Sequence, residues 1–373
     1  MGEHEIISKS NNAVTYKNII PAGIGWVIIS AILFGISTPF AKMLTCEISP
    51  VPLAGLLYLG SGVALGLWSL IRPKSISKLQ NEAPLSHQEI PWLAGSIFFG
   101  GMLAPVLLMT GLQDTPASTT ALLLNLESVF TLLIAWFVFR ENFDRKILAG
   151  VVAILCGSLI LSWAGIPYVT LPFGPLLIAA ACLAWAVDNN ITRKISSGDP
   201  VQIAAIKGLV AGIALLLIGL MIGYKVVTVK AAILTGLLGV ISYGLSLVFF
   251  VLGLRNLGTA RTAAYFSLAP LVGVVASFII LRESISTSFF IAAILMGAGI
   301  YLHISEKHHH EHQHNELLHQ HKHVHDEHHQ HKHEVSADIP EPHSHWHQHQ
   351  SIIHSHPHYP DIHHRHGHTE EIE

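Results

Sequence analysis

"GLQDTPASTTALLLNLESVFTLLIAWFVFREN" at residues 111–142 lies over "GLRNLGTARTAAYFSLAPLVGVVASFIILRES" at 253–284 when the chain is slid along itself by 142 residues. Seven of the 32 positions are identical: Gly111/Gly253, Leu112/Leu254, Thr120/Thr262, Ala121/Ala263, Leu126/Leu268, Arg140/Arg282 and Glu141/Glu283. Apolar sequence matches itself readily, so identity alone carries modest weight. The two Arg-Glu pairs, each closing an apolar run of the same length, carry more. The stretch reads as an internal repeat.

Apolar runs of about 20 residues, long enough to cross a hydrocarbon core as helices, recur on both sides of it. They fall near 23–44, 52–71, 90–112, 115–139, 146–164, 173–193, 200–222, 231–254, 258–281 and 286–304. The ten spans divide into halves of five, 23–164 and 173–304, between a polar N-terminal segment 1–22 and a tail 305–373. Five is odd, so the second half enters the bilayer from the opposite side. The expected fold is an all-α integral membrane protein with two inverted five-helix repeats and a disordered His-rich tail. Composition agrees: 51% of the 373 residues are hydrophobic and 12% charged, against about 25% charged in soluble proteins.

The first twenty residues are polar and lack the apolar core and small-residue cleavage site of a signal peptide, so the first run is expected to remain as a helix. With the N-terminus cytoplasmic, twelve Lys and Arg residues before, between or at the ends of the spans fall inside and three (Lys225, Lys230, Arg282) outside. That bias sets both termini in the cytoplasm of an inner or plasma membrane. Cys46, Cys156 and Cys182 lie in apolar runs with no paired spacing, which reads as core packing.

Inverted repeats are the plan of many secondary transporters, because two mirror-related halves can expose a central site to each face in turn. No GxxxxGK[ST] loop is present, so energy is expected from gradients or exchange, and the chain is not expected to be an enzyme. Over 23–304 it resembles the EamA-type permeases of the drug/metabolite transporter superfamily. The resemblance rests on the ten spans in two halves and on the acidic residues closing spans 4 and 9, Glu141 and Glu283. It rests also on "ILFGISTPFAK" and "CLAWAVDNNITRK", which set an aromatic eight residues before Lys42 and Arg193. The resemblance implies helices around a central cavity, cytoplasmic termini and movement of small metabolites without ATP. The histidine tail departs from the family pattern.

Ionisable groups in a bilayer are costly, so each needs a reason. Glu127, in "LLLNLESVF" two residues after Asn125, has Ala269 as its repeat counterpart and breaks the internal symmetry. It reads as a proton-coupling or amine-binding carboxylate, or as a neutral hydrogen-bonded one. Asp188 and Lys207 fall at similar depth on neighbouring spans and read as an ion pair or a cytoplasmic gate. Asn189 and Asn190 extend this polar patch, either for cargo or for a fraying helix end. Lys42, near the outer end of the first span, can snorkel to water. Tyr58, Trp185, Tyr243 and Tyr265 are candidate cavity aromatics, with core packing the plainer alternative. Arg140 with Glu141, and Arg282 with Glu283, read as structural helix ends.

The tail holds 24 of the 27 histidines. They are His308, His309, His310, His312, His314, His319, His321, His323, His325, His328, His329, His331 and His333, then His343, His345, His347, His349, His354, His356, His358, His363, His364, His366 and His368. Neutral imidazole suits zinc, nickel, cobalt and copper. "HQHKHVH" and "HSHWHQH" alternate histidine with other residues, and such composition cannot build a packed core. The tail is expected to bind these metals at several sites; no cofactor is required by the body.

The expected function is secondary transport of a small metabolite or metal-related solute, with a tail that buffers or senses metal. The rival is a divalent-metal exporter whose tail loads the pore; a non-transporting metal sensor is the third reading. Expected partners are lipid, a small-molecule or ion cargo and, as an option, a second copy of the chain. Nothing calls for nucleic acid.

Overall fold

The computed structural model describes residues 22–71, 87–139, 145–163, 173–196, 198–225, 227–284 and 286–304, and four short tail segments. Arg140, Glu141 and the remaining tail histidines lie outside the described residues. Eight helices are long and apolar enough to cross a membrane: α1 (Gly23–Leu44), α2 (Pro50–Ile71), α3 (Ile90–Asp114), α4 (Ala117–Val138), α6 (Phe173–Ile195), α7 (Pro200–Ile222), α8 (Val229–Leu257) and α9 (Arg261–Leu281). Two with shorter apolar stretches, α5 (Arg145–Trp163) and α10 (Thr287–Ile304), complete the two sets of five.

Local chemistry fixes several boundaries. Asp199 caps α7 by accepting from the backbone N–H of Val201 at 2.9 Å, and Pro200 occupies the first turn where its missing N–H costs nothing. Gly223 ends the same helix at φ 85°, a conformation that favours glycine. On the outer surface Leu70, Phe137, Met221 and Ile279 are largely exposed. Such an apolar girdle is what a lipid solvent requires.

The repeat seen in sequence is also a repeat in packing. Helix α1 packs on α8 and α9, and its counterpart α6 packs on α3 and α4. The self-related pairs α2 with α7, and α5 with α10, close the bundle. Along α2 and α7 the backbones meet: a Cβ on Gly208 would stand 2.6 Å from the backbone nitrogen of Gly62. Small residues at such crossings let membrane helices approach closely.

Two interruptions obey the same symmetry. Helix α3 contains a π-helical segment, Ile97–Leu103, and α8 contains another, Val240–Leu245, about one repeat length later. Helix α4 breaks at Leu124 and α9 at Ser267. Wide π turns loosen the backbone ladder and recur at functional sites; here both lie at the centre of the bundle.

In the tail, β1 (His309–Gln313) pairs antiparallel with β4 (Ile353–Pro357), and β2 (Leu317–His323) with β3 (His343–His349). The alternating His-X-His pattern has the period of a strand, and main-chain pairing needs no packed core.

Candidate functional site

At the bundle centre a small cavity is walled by Phe34 of α1, Tyr58 of α2, Glu127 of α4, Trp185, Asp188 and Asn189 of α6 and Lys207 of α7. Helix α8 adds Ser242, Tyr243, Ser246, Leu247 and Phe250, and α9 adds Phe266. Both halves therefore contribute.

One wall is polar and tightly bonded. Lys207, 1% exposed, holds Asp188 at 2.5 Å. The other Asp188 oxygen accepts from Ser96 Oγ at 2.6 Å and Thr192 Oγ1 at 2.9 Å, while Lys207 Nζ also donates to Ser96 Oγ at 3.1 Å. The π segment of α3 makes room for this group, because a Cβ on Gly100 would run into the Asp188 carboxylate. The Gly100 carbonyl accepts from Tyr58 Oη at 2.6 Å and Trp185 Nε1 at 3.1 Å, so two wall aromatics are oriented by one backbone oxygen.

Glu127 stands apart from that network. It starts the second segment of the broken α4, and its Oε1 accepts from Asn189 Nδ2 at 2.8 Å. Asn189 Nδ2 also approaches Thr131 Oγ1 at 3.4 Å. Opposite lies a cage of rings. Phe34 is 5.7 Å from Trp185 and from Tyr243, and 5.5 Å from Phe266; Tyr58 is 5.3 Å from Tyr243. Ser242 lines the cavity, and its buried Oγ has no hydrogen-bond partner among the described residues.

The structure thus brings together Glu127, Asp188, Asn189, Lys207, Tyr58, Trp185 and Tyr243 of the residues singled out from sequence. It leaves the others elsewhere. Asn125 Nδ2 bonds the Leu122 carbonyl at 3.0 Å beside the α4 break. Asn190 Nδ2 bonds the Ala186 carbonyl one turn back at 2.9 Å. Tyr265 gives its place at the cavity to its neighbour Phe266. Sequence reasoning missed Phe34, Ser242, Ser246, Phe250 and Phe266. Phe34 and Trp185 had been paired as the aromatic before a basic residue, and that repeat position was the available signal.

Lys42 is partly exposed near the end of α1. Its Nζ donates to the carbonyls of Leu112, Gln113 and Thr115 at 2.6, 2.8 and 3.0 Å, closing the end of α3. Glu283 answers on the next helix: its two oxygens accept from the N–H groups of Ala117 at 2.8 Å and Ser118 at 2.9 Å, capping α4. The cap crosses from the second repeat to the first. Arg282 sits beside it in the left-handed region at φ 52°. Glu283→Ala is expected to lower stability by about 1–2 kcal/mol, read from thermal unfolding in detergent, with Glu283→Gln losing less.

Among the described residues of the membrane body, no three His, Cys, Asp or Glu side chains gather as a metal site. A model of the EamA-like transporter family matches the chain twice, at residues 21–163 and 172–305. The chain belongs to that family. EamA-like proteins sit in the drug/metabolite transporter superfamily, and the two matches are the two five-helix halves. An uncharacterized transporter of Methanothermobacter thermautotrophicus is 30% identical over 293 residues, 74% of this chain and 84% of the relative. Proteins described as probable amino-acid metabolite efflux pumps, from Salmonella typhimurium and Escherichia coli, are 27% and 26% identical over 51% of this chain and 68% of their own length. A solved crystal structure matches 76% of the chain and 98% of its own at a TM-score of 0.60 and 19% identity, which speaks to the fold alone. This EamA-like protein is a multi-pass membrane transporter.

Proposed function

We propose that this EamA-like transporter is a secondary carrier for a small organic solute bearing a cationic amine, exposed alternately to the two membrane faces at the Glu127 cavity. One observation carries the reading. Asp188 already has its cation in Lys207, whereas Glu127 receives only an amide hydrogen bond among the described residues. An uncompensated carboxylate beside a ring cage suits an ammonium group, which gains charge-assisted hydrogen bonds and cation–π attraction together. The two relatives described as amino-acid metabolite efflux pumps support an amine-bearing cargo. A carboxylate that exchanges a proton for the cargo's ammonium also supplies a route to proton coupling or antiport. The charge bias between spans supports cytoplasmic termini.

A divalent-metal exporter is the second reading, favoured by the tail. The cavity argues against it, since borderline cations prefer imidazole or thiolate ligands and this wall offers amide, hydroxyl and aromatic groups around one unpaired carboxylate. Flux into proteoliposomes, screened over labelled cationic and zwitterionic amines, neutral analogues and zinc, separates the two. Saturable amine flux blocked by other amines is the expected result. Zinc flux with no amine flux overturns the proposal.

A further inference from the structure

Ser242 stands 142 residues after Gly100, so the two are counterparts in the repeat, and each sits in the π-helical segment of its own half. The halves use this position differently. In the first, Gly100 packs against the Asp188 carboxylate, and its carbonyl accepts from Tyr58 and Trp185. The widened turn is met by the protein's own polar groups. In the second, the position carries a hydroxyl, 1% exposed, that no described residue bonds. Ser246, one turn later on the same wall, is engaged: its Oγ donates to the Ser30 carbonyl at 3.0 Å. Among the described residues of the wall, Ser242 alone carries a buried side-chain polar atom without a partner. Such a hydroxyl is costly until something bonds to it, and the cavity is where a cargo group meets it.

Charge narrows what that group is. The charged side chains on the wall are Glu127, Asp188 and Lys207, one negative charge in all. Lys207 is committed to Asp188. A cargo ammonium balances Glu127, but a cargo carboxylate finds no second cation and is desolvated beside two carboxylates. A neutral amide, ester or hydroxyl escapes that cost and satisfies Ser242, which can donate or accept. We infer that Ser242 is a second binding subsite, and that the cargo is a net cation, an amine carrying a neutral hydrogen-bonding group, in preference to a zwitterion. This rests on the Glu127 reading above. Glu127 belongs to the first half and Ser242 to the second, so a cargo held by both ties the halves together.

Three probes with the same isobutyl body test it: leucinamide, leucine and 3-methylbutylamine. Each is titrated calorimetrically into the purified full chain in detergent, as wild type, Ser242→Ala and Glu127→Gln. In wild type, leucinamide is expected to bind about three- to tenfold tighter than 3-methylbutylamine, the value of one neutral hydrogen bond, and tighter than leucine. Ser242→Ala is expected to erase the gap between leucinamide and 3-methylbutylamine. Its unfolding temperature should hold, since the lost hydroxyl had no partner among the described residues. No gap in wild type, or a gap that survives in Ser242→Ala, overturns the subsite. Leucine binding as tightly as leucinamide overturns the choice of a net cation. Failure of the Glu127 reading looks different, and takes this inference with it: 3-methylbutylamine then binds wild type and Glu127→Gln equally, or binds neither.

Discussion

Lys207→Met is expected to destabilise the protein by about 3–5 kcal/mol, the cost of stripping a buried carboxylate of its cation. Asp188 and Lys207 are both almost inaccessible and meet at 2.5 Å. With the ammonium gone, Ser96 and Thr192 still donate to one Asp188 oxygen, but the other oxygen keeps no donor among the described residues. Adding Asp188→Asn removes the charge and is expected to recover most of the loss. That recovery distinguishes an ion-pair effect from simple loss of packing. Thermal unfolding of the single and double variants in detergent measures both; a single variant as stable as wild type would contradict the assignment.

Glu127→Gln is expected to leave the fold intact and to weaken cargo binding by roughly tenfold to a hundredfold, the value of a charged hydrogen bond. Glutamine keeps an oxygen where Asn189 donates, so that side-chain hydrogen bond survives. What disappears is the negative charge facing the rings. Counterflow of a labelled amine in proteoliposomes reads the change as a raised KM, and unfolding temperature serves as the control. Unaltered KM and rate in a well-folded variant would remove Glu127 from cargo recognition.

Much of the fold was legible because bilayers demand long apolar runs, and an odd number of spans per half dictates inversion. The repeat was visible at 111–142 and 253–284 because both copies end in Arg-Glu. Glu127, Asp188 and Lys207 stood out for the same reason, as charges in apolar surroundings. The caps were less legible. Lys42 and Glu283 act on carbonyls and N–H groups of other helices, and those partners are backbone atoms with no mark in sequence. The π segments were hidden too, since Gly100 and Tyr243 look like ordinary helix residues until the backbone widens around them. Phe34 and Phe266 escaped because a ring at a cavity and a ring in a core have the same pattern.

Alternate exposure of the cavity is tested most directly at Ser242, a lining residue whose hydroxyl has no hydrogen-bond partner among the described residues. Ser242→Cys, in a chain with Cys46, Cys156 and Cys182 replaced, is treated in sealed vesicles with a membrane-impermeant thiol reagent from either side. The account predicts modification from both faces, slowed by cargo on each. Modification from one face alone, whatever the cargo or gradient, would contradict it.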